Sequence, residues 1–252
     1  MFDYFWKYQN ELPAGVGYAQ FDVTHLSILA VLIIAGAVYL WTYIKAAPNM
    51  RKKISLVTAW ALFLLLPIRM TYALIKNIPI IYELPLHLCS MTGILVLIHR
   101  LTLYRFGWMK WLGKVLYTLC LPGAALAVIF PDGTIYPPVS FISIESYLFH
   151  FLIIVYIVSS IINKEIIPGM KGWYVNILFL AATVPGVYLF DIKHNANYMF
   201  LLSPVKGSPL EWCMKLLGHD LYLVGYAAIA VIVVLLMNIP FDICTKISKS
   251  AE

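Results

Sequence analysis

Residues Glu83-Leu84-Pro85-Leu86-His87-Leu88-Cys89 set a carboxylate, an imidazole and a thiol at the mouth of an apolar stretch running to Leu101. A thiol becomes a nucleophile toward acyl carbon once an imidazole raises its thiolate fraction, and an imidazole alone can move a proton to or from a reacting oxygen. On a helix His87 and Cys89 point about 200° apart, so one small cavity receives only one of them, whereas Leu86 and Cys89 share a face. A second polar set, Ser143, Glu145, Ser146 and His150, lies in another apolar run. Ser143 and Ser146 fall on nearly the face of His150 and could orient its ring, while Glu145 turns about 140° away. Arg69 lies near the end of a third apolar run, roughly 9 Å below its boundary. It either snorkels to the headgroups or turns inward to hold an anion.

The elements that must position these groups are membrane helices. The chain has 252 residues, 62% hydrophobic and 12% charged, with mean hydropathy +0.85. Soluble domains are about 45–50% apolar and 25% charged, so this is the composition of an integral membrane protein. Crossing a hydrocarbon layer about 30 Å thick takes about 20 apolar residues. Such windows run at roughly 26–44, 54–75, 84–101, 112–130, 141–162, 173–190 and 221–239. The expected fold is all-α: a seven-transmembrane-helix bundle forming one polytopic domain over 1–252. Residues 1–25, rich in Tyr, Phe and Trp, suit a segment lying at the headgroup level. The apolar first run is too long for a cleaved leader. A charged group at mid-span costs about 2.5–3.5 kcal/mol on insertion scales, so polar groups within spans usually mark a site.

Twelve of the 18 basic residues gather at one set of span ends, from Lys45 and Arg51 to Lys246 and Lys249. The rule that cytoplasmic loops are basic then puts the amino terminus outside and the carboxyl terminus inside, and explains the net charge of +6 without nucleic acid. On that orientation Arg69, Glu83, His87, Cys89, Glu145 and His150 all fall in the outer half, while His99 and Arg100 mark an inner interfacial end. A polar cavity opening outward is expected between spans 2, 3 and 5, capped by the long outer loop 191–218. Pro67 and Cys120-Leu121-Pro122-Gly123 signal kinked helices. The four cysteines are scattered, no metal-ligand spacing occurs, and no phosphate-binding glycine loop is present. No cofactor is expected, and the partners expected are membrane lipids.

The pairing of Glu83-Leu84-Pro85-Leu86-His87-Leu88-Cys89 with Asn197-Tyr198-Met199-Phe200-Leu201 and Pro204 resembles the bacterial YwaF-like multi-span membrane proteins, over nearly the whole chain. That group is similar to a eukaryotic seven-span lipid acyltransferase family with a Cys nucleophile and a distant His, and more remotely to intramembrane lipid hydrolases using Thr and His. The resemblance implies acyl-ester chemistry on lipids in the cell membrane, with His150 as the distant His. The relatives carry the nucleophile in a Pro-Cys-His string. Here Pro85-Leu86-His87 puts leucine at that position, with Cys89 one turn deeper on the same face as a substitute nucleophile or a packing residue.

The resulting expectation is an intramembrane lipid acyltransferase or acyl hydrolase working from the outer leaflet. His150 is its general base, His87 and Cys89 are the further catalytic candidates, and Arg69, Glu145, Ser146, Asn197 and Tyr198 contact the substrate. The alternative is a carrier or binding protein holding a lipid or small anion in the same cavity without covalent chemistry.

Overall fold

The computed structural model describes residues 2–106 and 110–250, with side chains to residue 243, so Cys244, Lys246 and Lys249 lie outside the described side chains. Among the described residues the chain forms eight α-helices: α1 Val23–Lys45, α2 Pro48–Ile75, α3 Leu88–Thr102, α4 Lys110–Ile129, α5 Phe141–Ile162, α6 Tyr174–His194, α7 Pro209–Leu217 and α8 Tyr222–Ser250. Among the described residues there is no strand. Six of these helices, α1, α2, α4, α5, α6 and α8, are long and apolar enough to cross a membrane. The third expected span is a 15-residue helix instead. Its predicted start at Leu84 moves to Leu88 because Glu83–His87 run as irregular backbone, with His87 as the N-terminal cap in extended conformation.

Local chemistry sets the boundaries. Asp22 caps α1 by accepting from the His25 backbone N–H at 2.8 Å, and Ser140 caps α5 by accepting from Ser143 N–H at 3.2 Å. Proline opens α2 and α7, where its missing N–H costs nothing. Inside α4 the residues Leu116–Cys120 form a π turn, Leu121 N–H reaching back to the Leu116 carbonyl just ahead of Pro122. This is the kink expected from Cys120-Leu121-Pro122-Gly123, absorbed by widening one turn.

The core is built by α2, α3, α4 and α5. Leu62, Val96, Leu116, Ile153, Tyr156 and Ile157 are wholly buried there. Helix α1 stands at the edge with most of its apolar surface outward. Its His25 ties it in, accepting from the Phe21 N–H at Nδ1 and donating from Nε2 to the Val128 carbonyl at 3.0 Å. The amino-terminal segment folds over the ends of α2 and α5: Trp6 stacks on Phe141, Tyr72 hydroxyl donates to the Trp6 carbonyl, and Tyr18 and Tyr147 join hydroxyls at 2.7 Å. Gly17 is required where this segment crosses the 131–140 turn, since a Cβ there would stand 2.1 Å from the Thr134 carbonyl oxygen.

The long connection is more structured than an open loop. Its first residues complete α6, which ends at left-handed Asn195, and its second half forms α7. Between them Asn197–Leu201 turns back onto the start of α3.

Candidate functional site

Arg69 is brought into the bundle by α2, two residues past Pro67, and meets two carboxylates, Glu83 and Glu145, from other parts of the fold. Its Nε and Nη2 form a fork on Glu83 at 2.9 and 3.2 Å, and Nη1 reaches Glu145 on α5 at 3.2 Å. All three side chains are largely buried. Arg69 therefore does not snorkel. Its guanidinium is already shared by two anions, leaving a local charge of −1, which argues against the expected role of gripping a lipid phosphate. Glu145 is likewise a partner of Arg69 and not a free substrate contact. The triad ties α2, the approach to α3 and α5 together at the end that carries His87.

His87 stands at the first turn of α3. Its Nδ1 accepts the backbone N–H of Met199 at 3.2 Å, and its ring meets Tyr198 edge-on at 4.9 Å and Phe200 at 5.3 Å. A backbone N–H can only donate, so the neutral ring carries its proton on Nε2. His150, half-buried on α5, has the opposite tautomer. Its Nδ1 lies 2.7 Å from the Ser146 carbonyl oxygen, which can only accept, so the proton sits on Nδ1 and Nε2 keeps a lone pair. The sequence expectation that a serine hydroxyl orients His150 is corrected here: the backbone oxygen of Ser146 does so, because one helical turn carries it directly beneath the ring.

Cys89 lies in the same first turn as His87 but against the apolar core formed around Cys120 and Leu119. Asn197 and Tyr198 are engaged in holding the segment. Asn197 donates to the Ser203 carbonyl and hydroxyl and accepts from Leu202 and Ser203 N–H. Tyr198 hydroxyl accepts from Leu84 N–H at 2.9 Å and donates to the Ile81 carbonyl at 2.7 Å. Asn197 and Tyr198 thus position the loop over α3. They also line a pocket of about 410 Å³ with Gln9, Tyr82, His87, Asp132 and Phe200. The walls come from the amino-terminal segment and the loops, where spans 2, 3 and 5 were expected. The loop that covers it is strained, with Met199 and Phe200 both left-handed at φ 53° and 58°, each at a cost of order 1–3 kcal/mol.

The opposite end holds a polar cluster that the sequence reading placed at the surface. His99 is wholly buried, its Nδ1 2.8 Å from the Tyr156 hydroxyl, and Arg100 is 7% exposed. Arg100 pairs with Glu165 at 3.0 Å and donates to the Lys52 carbonyl, while Asn163 and Tyr104 add donors to the same carboxylate oxygen. His99 and Arg100 are therefore interior groups, not interfacial ones. Position next to a span end suggested otherwise, since their partners lie more than 40 residues away in either direction.

The architecture and both polar ends point to a multi-span membrane protein, and sequence comparison gives it a family. Comparisons with curated proteins and with solved structures each found no match. A family model described as the TMEM164 family matches residues 20–238, most of the chain. The protein belongs to the TMEM164 family, a family of multi-span membrane proteins.

Proposed function

We propose that the protein is an intramembrane enzyme that moves or hydrolyses lipid acyl groups, with His150 as general base. The observation that carries this reading is the opposed tautomers of His87 and His150. His150 offers a lone pair at Nε2, and His87 offers a proton. In the step envisaged, Nε2 of His150 takes the proton of an acceptor hydroxyl or water, whose oxygen attacks the ester carbonyl. Nε2–H of His87 donates to the oxyanion. Collapse breaks the bond to the leaving alcohol oxygen, which receives the proton from His150. In a two-stage variant Cys89 gives its proton to His150 and its sulfur attacks the ester carbonyl; the alcohol leaves with that proton, and the acceptor then cleaves the thioester, returning the proton to Cys89.

Seven crossings, with the amino terminus and His87 outside, are part of this proposal. Helix α3 supports the count, because it starts beside Tyr198 and ends beside Lys52 and Glu165, which cluster at opposite ends of the bundle. The twelve basic residues at one set of ends support the orientation.

The pocket with His87 in its wall also favours a second reading, a carrier or binding protein for a lipid or small ligand. Purified protein in nanodiscs, supplied with phospholipid and a lysolipid acceptor, separates the two. Acyl transfer or fatty-acid release lost in His150→Ala, with the fold intact, is the expected result. An acyl adduct on the Cys89 peptide, removable by neutral hydroxylamine, would identify the two-stage route. Turnover kept in Cys89→Ala would leave direct attack. Full turnover in both variants, or none in the parent protein, would sink the enzyme reading.

A further inference from the structure

Helix α8 begins 135 residues beyond His87 in the sequence, yet it holds the loop that His87 accepts from. Tyr222 and Tyr226, one turn apart on a single face of α8, each donate a hydroxyl to the carbonyl of one of the two left-handed residues above the pocket. Tyr226 reaches Met199 O at 2.9 Å and Tyr222 reaches Phe200 O at 2.7 Å. Met199 is the residue whose N–H meets His87 Nδ1. Its N–H and its carbonyl belong to peptide planes joined at one α-carbon. Fixing the carbonyl plane leaves only the two torsions of Met199 to place the N–H, and both are held in a conformation that non-glycine residues avoid.

We infer that Tyr226, seconded by Tyr222, is a positioning residue for His87: by pinning the Met199 and Phe200 carbonyls it keeps the Met199 N–H on Nδ1, so the imidazole presents Nε2–H to the pocket. A freed loop would relax toward ordinary backbone angles and carry the N–H away from the ring. His87 would then sample both neutral tautomers and the protonated form, and in two of those three states Nδ1 would carry a proton. Tyr226 touches neither ligand nor reacting atoms in this account. The inference rests on the reading of His87 as the donor to a lipid oxygen, but the tautomer itself can be measured without any turnover.

The experiment uses the full chain, labelled with ¹⁵N-histidine and placed in phospholipid nanodiscs. The His87 signals are identified by their loss in His87→Gln, and the protonated nitrogen is read from ¹⁵N–¹H couplings. The parent protein should show one His87 tautomer, protonated at Nε2. Tyr226→Phe, and more so Tyr226→Phe with Tyr222→Phe, should show both tautomers or an exchange-broadened average. Tyr39→Phe, which removes a hydroxyl bonded to Thr58 elsewhere in the bundle, should leave the signals unchanged. If the protein turns over lipid, Tyr226→Phe should lower kcat and shift its pH profile at unchanged KM. A parent ring protonated at Nδ1 would overturn the inference, whether or not the variants fold. So would a single Nε2–H tautomer in folded Tyr226→Phe; that second result would leave the enzyme reading untouched, whereas Nδ1 protonation in the parent would also remove the tautomer argument for it.

Discussion

Arg69 Nη1 lies 3.2 Å from Glu145 Oε2, closing a bridge between two helices whose paired residues are 76 positions apart. The same guanidinium holds Glu83 through its other two donors. Removing the cation would leave two buried carboxylates facing each other, and breaking a buried pair from one side costs about 3–5 kcal/mol.

Arg69→Met should therefore lose thermal stability heavily and reduce the folded yield in detergent. The triple variant Arg69→Met, Glu83→Gln, Glu145→Gln should recover much of that loss, since it leaves no unpaired charge. A size-exclusion and thermal-unfolding series across the parent and these two variants checks this. Equal instability of the single and triple variants would mean that packing of the Arg69 stem, not charge pairing, is what holds the three elements.

The cluster at the other end should behave as an independent structural clamp. Arg100→Ala strands Glu165 in the interior and should cost a few kcal/mol, whereas Glu165→Gln keeps the shape and should cost less. Among the described residues the two clusters share no hydrogen bond or ion pair, so combining Arg100→Ala with a substitution in the Arg69 triad should give nearly additive losses in unfolding measurements.

Asp22 predicts a pH effect confined to one helix end. Its carboxyl is held below the ordinary aspartate range, first by the His25 backbone N–H that it caps and further by Ala19 N–H. A depressed carboxylate stabilises the folded state above its unfolded pKa and loses that contribution as the pH falls through its lower folded value. Exchange protection of amides 23–26 should thus decline as the pH drops below about 3.9. Asp22→Asn, which caps without titrating, should flatten that dependence.

Single cysteines at Asn49 and Asp132, in a background without the native four, should label from opposite sides of the membrane. In intact cells an impermeant reagent should reach Asp132→Cys and miss Asn49→Cys. The reverse pattern would invert the orientation and place His87 at the inner face.

Much of this fold was legible because hydrophobicity is a local property. The long spans, the distortion of α4 ahead of Pro122 and the polar entrance at Glu83–Cys89 follow from runs of a few residues. The pairings that decide chemistry are not local. Arg69 looked equally suited to snorkelling or to anion binding because nothing near it in sequence discloses Glu145. Tyr222 and Tyr226 read as ordinary aromatic residues of a span, since what they hold is backbone carbonyl in a strained loop. The Ser146 hydroxyl is what its residue type advertises, but the atom that orients His150 is its carbonyl oxygen, which every residue type supplies. His99 misled through its neighbour: an Arg at a span end is usually wet, and here Glu165 keeps it dry.

The shortness of α3 bears on how a lipid would meet His87. Fifteen residues rise about 22 Å, against a hydrocarbon layer of about 30 Å, and His87 sits at the upper end of that rise. Such a mismatch is relieved by thinning of the surrounding bilayer or by polar groups reaching down beside the protein. On the proposed lipid-acyl reading, either response would bring the glycerol backbone of a neighbouring phospholipid down to the level of the imidazole, so the ester would come to the histidine without the lipid leaving its leaflet.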